Sequence, residues 1–127
     1  MAINHLARMK KSIRRQTNEE LVATYTEAAA AHRIGTQTGD YKFTNKAADR
    51  IRDVYRELRE RDRRDVLLAL LDSPNTGVRV WAGAHALEID PSRGEPVLSA
   101  LAEEKGLLGF EASMTLKVWR EGNLRFP

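Results

Sequence analysis

Three histidines, a row of arginines and scattered carboxylates are the side chains of this 127-residue chain whose types suit chemistry. His85 and Glu88 stand at i, i+3. They supply two metal-capable groups on one helix face, whereas zinc takes three or four ligands. His5 and His32 have no second histidine or carboxylate at a ligand spacing. His85 shares its side of a helix with Trp81 and Ala82, so it reads as a core histidine satisfied internally, and His32 reads the same way. Asp40, Asp49 and Asp53 cluster near a turn, but acid–base catalysis needs paired groups in a cleft with their pKa values pushed apart. Read plainly, they are solvated surface carboxylates. There is no Gly-x-Ser-x-Gly elbow or phosphate loop. With no cysteine in the chain, disulfides, thiolate catalysis and Fe–S clusters are excluded. The expectation is a protein that is not an enzyme and that carries no metal and no cofactor.

The basic side chains suggest binding instead. Arg52, Arg56, Arg59 and Arg63 recur at helical spacing beside Asp49, Asp53, Glu57 and Glu60. The two stripes can neutralise each other, for example Asp53 with Arg56 and Glu57 with Arg61. Alternatively, the arginines face an anionic partner. Residues 1–18 hold Arg8, Lys10, Lys11, Arg14 and Arg15 and no acid, a charge of +5, while the remainder has 16 basic and 18 acidic residues. The net charge of +3 therefore belongs to an N-terminal arm, which suits phosphates, anionic lipid or an acidic protein surface. Ile3, Leu6, Met9 or Lys10, and Ile13 predict an amphipathic helix there. No apolar run approaches the ~18–20 residues that cross a bilayer.

The elements that must position these groups all read as helices. Thr17-Asn18-Glu19-Glu20 has capping-box spacing, and Leu21, Tyr25, Ala28 and His32 follow at i, i+4, i+7, i+11. Gly35 and Gly39 offer left-handed stops. A second helix is expected from Thr44 or Asn45, with Asn45 as its cap and Ala47, Ala48, Ile51, Val54, Tyr55 and Leu58 on one face. That leaves Tyr41, Lys42 and Phe43 in a loop, as anchors for binding. Asp62 or Asp65 is expected to cap a third helix, broken at Ser73-Pro74. A fourth carries Val78, Trp81, Ala82, His85 and Ile89. Asp90-Pro91 opens a fifth, and a sixth runs from Leu108 to Trp119 and ends at Gly122. Trp81 and Trp119 are expected in the core, and 124–127 as a short tail. No strand pattern appears.

Short loops set successive helices antiparallel. They group as three hairpins, roughly 18–62, 63–89 and 91–121, the last two with a period near 28–30 residues. The expected fold is all-α: stacked antiparallel helix hairpins forming a HEAT/ARM-like α-α superhelix. It has six helices plus an N-terminal basic helix, with residues 1–16 as an arm and 17–124 as a single domain.

The segment from Leu70 to Arg79 resembles the centre of a HEAT repeat, where the first helix ends in Asp and the second opens with Val-Arg. Asp72, Val78 and Arg79 take those places, followed by Ala82, Ala86 and Leu87. The turn is one residue longer than in that pattern, and one extra residue precedes Ala86-Leu87. Val78 would plug the hairpin corner, and Arg79 would bond to Asp72 or Asp90 and to helix-end carbonyls. The run Val78 to Leu87, then Asp90-Pro91, Phe110-Glu111-Ala112, Thr115-Leu116, Trp119 and Gly122-Asn123-Leu124 resembles a small bacterial HEAT/armadillo-like family, domain of unknown function 2019. Gly39 to Lys46 and Glu57-Leu58-Arg59 are similar to its first hairpin.

That resemblance implies a compact helical module without assigned chemistry. Some small helical-repeat proteins of this type act as immunity partners of secreted toxins. The function expected is a non-enzymatic, cytoplasmic protein-interaction module, in its sharpest form an immunity protein that binds and neutralises a toxin. Its binding side is the concave face of the second helices, with Arg52, Arg56, Glu57, Arg59, Lys117 and Arg120 exposed there; Tyr41 and Lys42 of the loop are further candidate partner-binding residues. The alternative is nucleic-acid binding through Lys10, Lys11, Arg14 and Arg15 and the arginine stripe, against which the charge of −2 outside residues 1–18 already argues. A homodimer would cover the exposed ends of a helical stack.

Overall fold

Thr17 opens the first helix through a reciprocal cap: its hydroxyl accepts from the Glu20 amide (3.1 Å), and the Glu20 carboxylate accepts from the Thr17 amide (2.9 Å). The structure, a computed structural model, describes residues 12–127. It is helical throughout, without a strand among the described residues. Helix α1 spans Asn18–Thr38 and stops at Gly39, which adopts the left-handed conformation with φ 76°. Gly35, expected as an earlier stop, lies inside α1, and its carbonyl accepts from the amides of Gly39 and Asp40.

Helix α2 spans Tyr41–Glu60, starting ahead of the expected Thr44 or Asn45. The reason is Asp40, whose carboxylate accepts from the Phe43 amide at 3.1 Å and caps the helix there. Tyr41, Lys42 and Phe43 are therefore the first turn of a helix and not a loop, and Asn45 caps nothing. At the far end Asp62 takes φ 57°. The Arg63 amide reaches back to the Leu58 carbonyl (2.8 Å) and the Asp62 amide to that of Arg59 (3.0 Å), a Schellman closure with Asp where glycine is usual. Asp62 thus ends α2 and does not cap the next element. Asp65 does not cap it either.

The third helix is a nine-residue 3-10 segment, Arg64–Asp72, where an α-helix was expected. Its C-terminal end favours the tighter form: Pro74 has no amide to give the Leu70 carbonyl, which accepts from Ser73 instead (3.1 Å). Helix α3 (Thr76–Ile89) is capped by Asn75, α4 (Pro91–Ala102) follows Asp90, and α5 (Leu107–Arg120) ends before Gly122. A 3-10 turn, Ile13–Arg15, precedes α1. Arg61 ties that turn to the rest, donating to the Arg14 carbonyl (3.1 Å), Asn18 (2.9 Å) and Glu57 (2.8 Å). The N-terminal helix expected from Ile3, Leu6 and Met9 lies outside the described residues, as do Lys10 and Lys11.

Two apolar clusters run through the stack. Leu21, Tyr25, Ile51, Val54, Leu58, Leu67 and Val78 join α1, α2, the 3-10 segment and the start of α3. Leu87, Leu98, Leu101, Leu108, Ala112 and Leu116 join α3, α4 and α5. Leu71, Ala82 and Ala86 bridge them. The two tryptophans, expected in the core, are only half-buried at its edges.

Helix α4 lies against α3 so closely that a Cβ on Gly94 would sit 2.8 Å from the backbone of Ala86 and Leu87. Backbone cannot step aside as a side chain can. Gly94→Ala should therefore cost about 1–3 kcal/mol, despite the better helix propensity of alanine. Urea unfolding of the variant against the parent measures this.

Candidate functional site

Helices α2, α3 and α5 each turn one face toward a common groove of about 760 Å³. Val80, Trp81 and Ala84 come from α3, Phe110 and Met114 from α5, and Asp49, Arg52 and Arg56 from α2. The irregular segment 123–127 closes one end with Leu124, Arg125, Phe126 and Pro127. Phe110 is 61% exposed and Met114 40%, so large apolar side chains face solvent along this surface.

Behind the groove lies a packed set of rings. His85 is 1% exposed. Its ring stacks on Tyr55 at 3.8 Å between centroids and 8° between planes. Its Nδ1 lies 2.7 Å from the Tyr25 hydroxyl. Among the described residues that hydroxyl has no other partner; with the imidazole proton on Nε2, it donates to Nδ1. Burial pushes the Tyr25 phenol well above its ordinary value, aided by Tyr55. Burial also lowers His85 to about 3, helped by the charge of Arg52, so the ring is neutral. The Tyr55 hydroxyl donates to Glu88 at 2.5 Å, and Arg64 donates to the same oxygen at 3.0 Å. Burial and Glu88 push Tyr55 up to about 12. His85 and Glu88, the one spaced pair, thus have separate tasks: His85 bonds α1, and Glu88 holds Tyr55 and Arg64. Among the described residues no group of three or more histidines or carboxylates is placed to hold a metal. His32 sits at the groove wall, half-buried, with its ring edge-on to Trp81 at 5.1 Å, and burial and Arg52 lower its pKa.

A family model described as a domain of unknown function (DUF2019) matches residues 19–119. The chain belongs to the DUF2019 family. No curated protein matches it. A crystal structure of the protein RPA1889 from Rhodopseudomonas palustris CGA009 is similar, with a TM-score of 0.84, 23% identity, and coverage of 91% of this chain and 98% of that one. At that identity the likeness shows a shared fold.

The DUF2019 chain brings only part of the expected binding set together. Arg52 and Arg56 line the groove, but Arg52 pairs with Asp49 (3.5 Å) and Arg56 with Asp53 (3.3 Å). Arg59 donates to the Phe126 carbonyl (3.1 Å). Tyr41 is 81% exposed and, like Lys42, lies away from the groove. Arg14 and Arg15 are exposed. Lys117 is exposed, and Arg120 pairs with Glu95 at 3.0 Å. Val78 plugs the core at 1% exposure, as expected of the hairpin corner. Arg79, however, bonds to neither Asp72 nor Asp90, and among the described residues its buried Nε has no partner. Asp72 is exposed at the end of the 3-10 segment, and the Asp90 carboxylate accepts from the Ser92 hydroxyl (2.7 Å). Phe110, Met114 and Phe126 were not singled out as site residues. The available signal was Phe110 and Met114 at i, i+4, offset by two from the buried Leu108-Ala112-Leu116 row of this DUF2019 chain.

Neutral burial of His85 has a thermodynamic consequence. Free in the unfolded chain its imidazole titrates near 6.5, but in the fold near 3. Its contribution to stability is complete above pH ~6.5 and is lost as pH falls toward ~3, because only the unfolded state takes up the proton. Across that window the wild type should lose up to ~1.4 kcal/mol per pH unit more than His85→Gln. Urea titrations of both proteins at several pH values give the difference.

Proposed function

We propose that this DUF2019 chain is a non-enzymatic protein-interaction module and that the α2–α3–α5 groove is its binding face. One observation carries the reading: a groove of about 760 Å³ lined by Trp81, Phe110 and Met114, with the α5 pair turned to solvent. Exposed large apolar side chains gathered along a concavity mark partner sites in soluble proteins. Charged side chains at the rim, Asp49, Arg52 and Glu111, supply polar contacts around that apolar floor. The stacked helices fit the HEAT-like scaffold suggested by Val78 and the helix-pair period, and such scaffolds bind through a concave side. In its sharpest form the partner is a toxin, and this chain neutralises it by occlusion.

The nucleic-acid alternative is less favoured at the arginine stripe, while Lys10 and Lys11 of its arm lie outside the described residues. Arg52 and Arg56 are paired with carboxylates, Arg59 holds a backbone carbonyl, and Arg63 bonds Asp65. Residues 12–127 carry equal numbers of basic and acidic side chains, which provides no net attraction for a polyanion.

Calorimetric titration with the product of the adjacent gene should give a Kd below ~1 μM. Met114→Glu should weaken it at least ~10-fold, while Glu103→Lys, on an exposed site away from the groove, should leave it unchanged. Absence of binding would sink the toxin form, and binding indifferent to Met114→Glu would sink the groove as the interface.

A further inference from the structure

The segment 123–127 lies across one end of the groove. Beyond Asn123, whose amide bonds the Val118 carbonyl, the amides of Leu124, Arg125 and Phe126 find no acceptor among the described residues. The segment is held instead by the half-buried Leu124 against the α3–α4–α5 cluster, by one ring and by two carbonyls. Phe126 packs against His85 at 4.6 Å and Tyr55 at 5.7 Å between ring centroids. Its carbonyl accepts from Arg59 at 3.1 Å, and the Pro127 carbonyl accepts from Arg56 at 3.4 Å. Arg125 folds back on its own backbone, donating to the Gly122 and Leu124 carbonyls, and gives the groove no bond.

This seating leaves space on both sides. The open groove lies on one side of it, and a second hollow of about 260 Å³ lies on the other, against Leu87, Glu88 and Trp119. The receiving surface is firm by contrast. Tyr55 is fixed by Glu88 and by stacking on His85, and Arg59 lies over the Tyr55 ring at 5.8 Å. A rigid aromatic floor with arginine donors beside it recognises an aromatic side chain and the carbonyls next to it, whatever the other residues are.

We infer that the Phe126 seat is the anchor position of the groove: a partner inserts a peptide segment whose aromatic side chain replaces Phe126 on Tyr55 and His85 and whose carbonyls take Arg59 and Arg56. Residues 123–127 are then an internal occupant that the partner displaces. From the seat, the bound segment continues along Trp81, Phe110 and Met114. The inference rests on the groove being the binding face and names the chemistry of what enters it.

The probe is a fluorescent synthetic peptide with the sequence of Glu121–Pro127, titrated by anisotropy against the full-length protein. Phe126→Ala empties the seat and should bind the peptide at least ~10-fold more tightly than the wild type does. Arg59→Gln added to Phe126→Ala should reverse most of that gain, and a peptide with alanine in place of the phenylalanine should not bind. Peptide binding to neither protein, or equally to both, overturns the inference. Should Phe126→Ala fail to fold, amide exchange of the wild type decides. Exchange of Leu124–Phe126 at least ~100-fold faster than in the middle of α5 supports a displaceable occupant, and equal protection overturns it. A protein that binds its partner through Met114 but refuses the peptide refutes this inference alone, leaving the groove as the interface.

Discussion

A neutral histidine held between two tyrosines sets the geometry of the molecule. Tyr25 lies on α1, Tyr55 on α2 and His85 on α3. One hydrogen bond of 2.7 Å and one ring stack at 3.8 Å join the three helices at a single point. A polar ring buried to 1% exposure without a partner would cost about 1–3 kcal/mol. The Tyr25 hydroxyl offsets that cost only if α1 and α3 keep their present separation. A leucine in place of His85 would fill space but would not define that distance. Directional contacts of this kind fix one packing where apolar contacts alone tolerate several. The groove inherits the precision, because Trp81 and Ala84 stand on the same helix as His85 and one turn before it or adjacent to it.

Many of the arginines are committed to contacts within the fold. Arg61 gathers Glu57, Asn18 and the Arg14 carbonyl, and its guanidinium is largely shielded from solvent. Arg64 shares Glu88 with Tyr55. Arg59 and Arg56 hold carbonyls of 123–127. Guanidinium suits these tasks, since its planar fork meets several acceptors at once and keeps its charge when partly buried. Exposed pairs such as Arg52–Asp49 add little stability, about 0–1 kcal/mol. Their main effect is to cancel charge on the face that borders the groove.

Much of this was legible from local sequence, and the misses have local causes. The capping box at Thr17, the Gly39 and Gly122 stops, the ion pairs Asp53–Arg56 and Glu57–Arg61, and the burial of His85 all depend on residues within a turn or on one helix face. The start of α2 was misread because two capping side chains compete in that stretch, and Asp40 wins over Asn45. Asp62 looked like a cap for the following helix because left-handed aspartate and N-cap aspartate leave the same trace in a sequence. The form of the 3-10 segment depends on Pro74 beyond its end. The role of 123–127 was not legible at all, since it depends on Arg56 and Arg59, some 70 residues earlier.

Helix α5 carries the argument for an interface furthest. Leu108, Ala112 and Leu116 line its inner face and are fully packed. Phe110 and Met114 lie about 200° around the axis from that row, two residues on at ~100° each, and are exposed. An ordinary surface helix is polar on that side, and a helix apolar on both sides is one packed on both sides. Among the described residues only the inner side is packed. The segment 123–127 approaches the outer side but covers just one end, leaving both α5 side chains in contact with water. Among the described residues the outer face of α5 therefore presents the large apolar side chains of an interior to the groove without a packed neighbour.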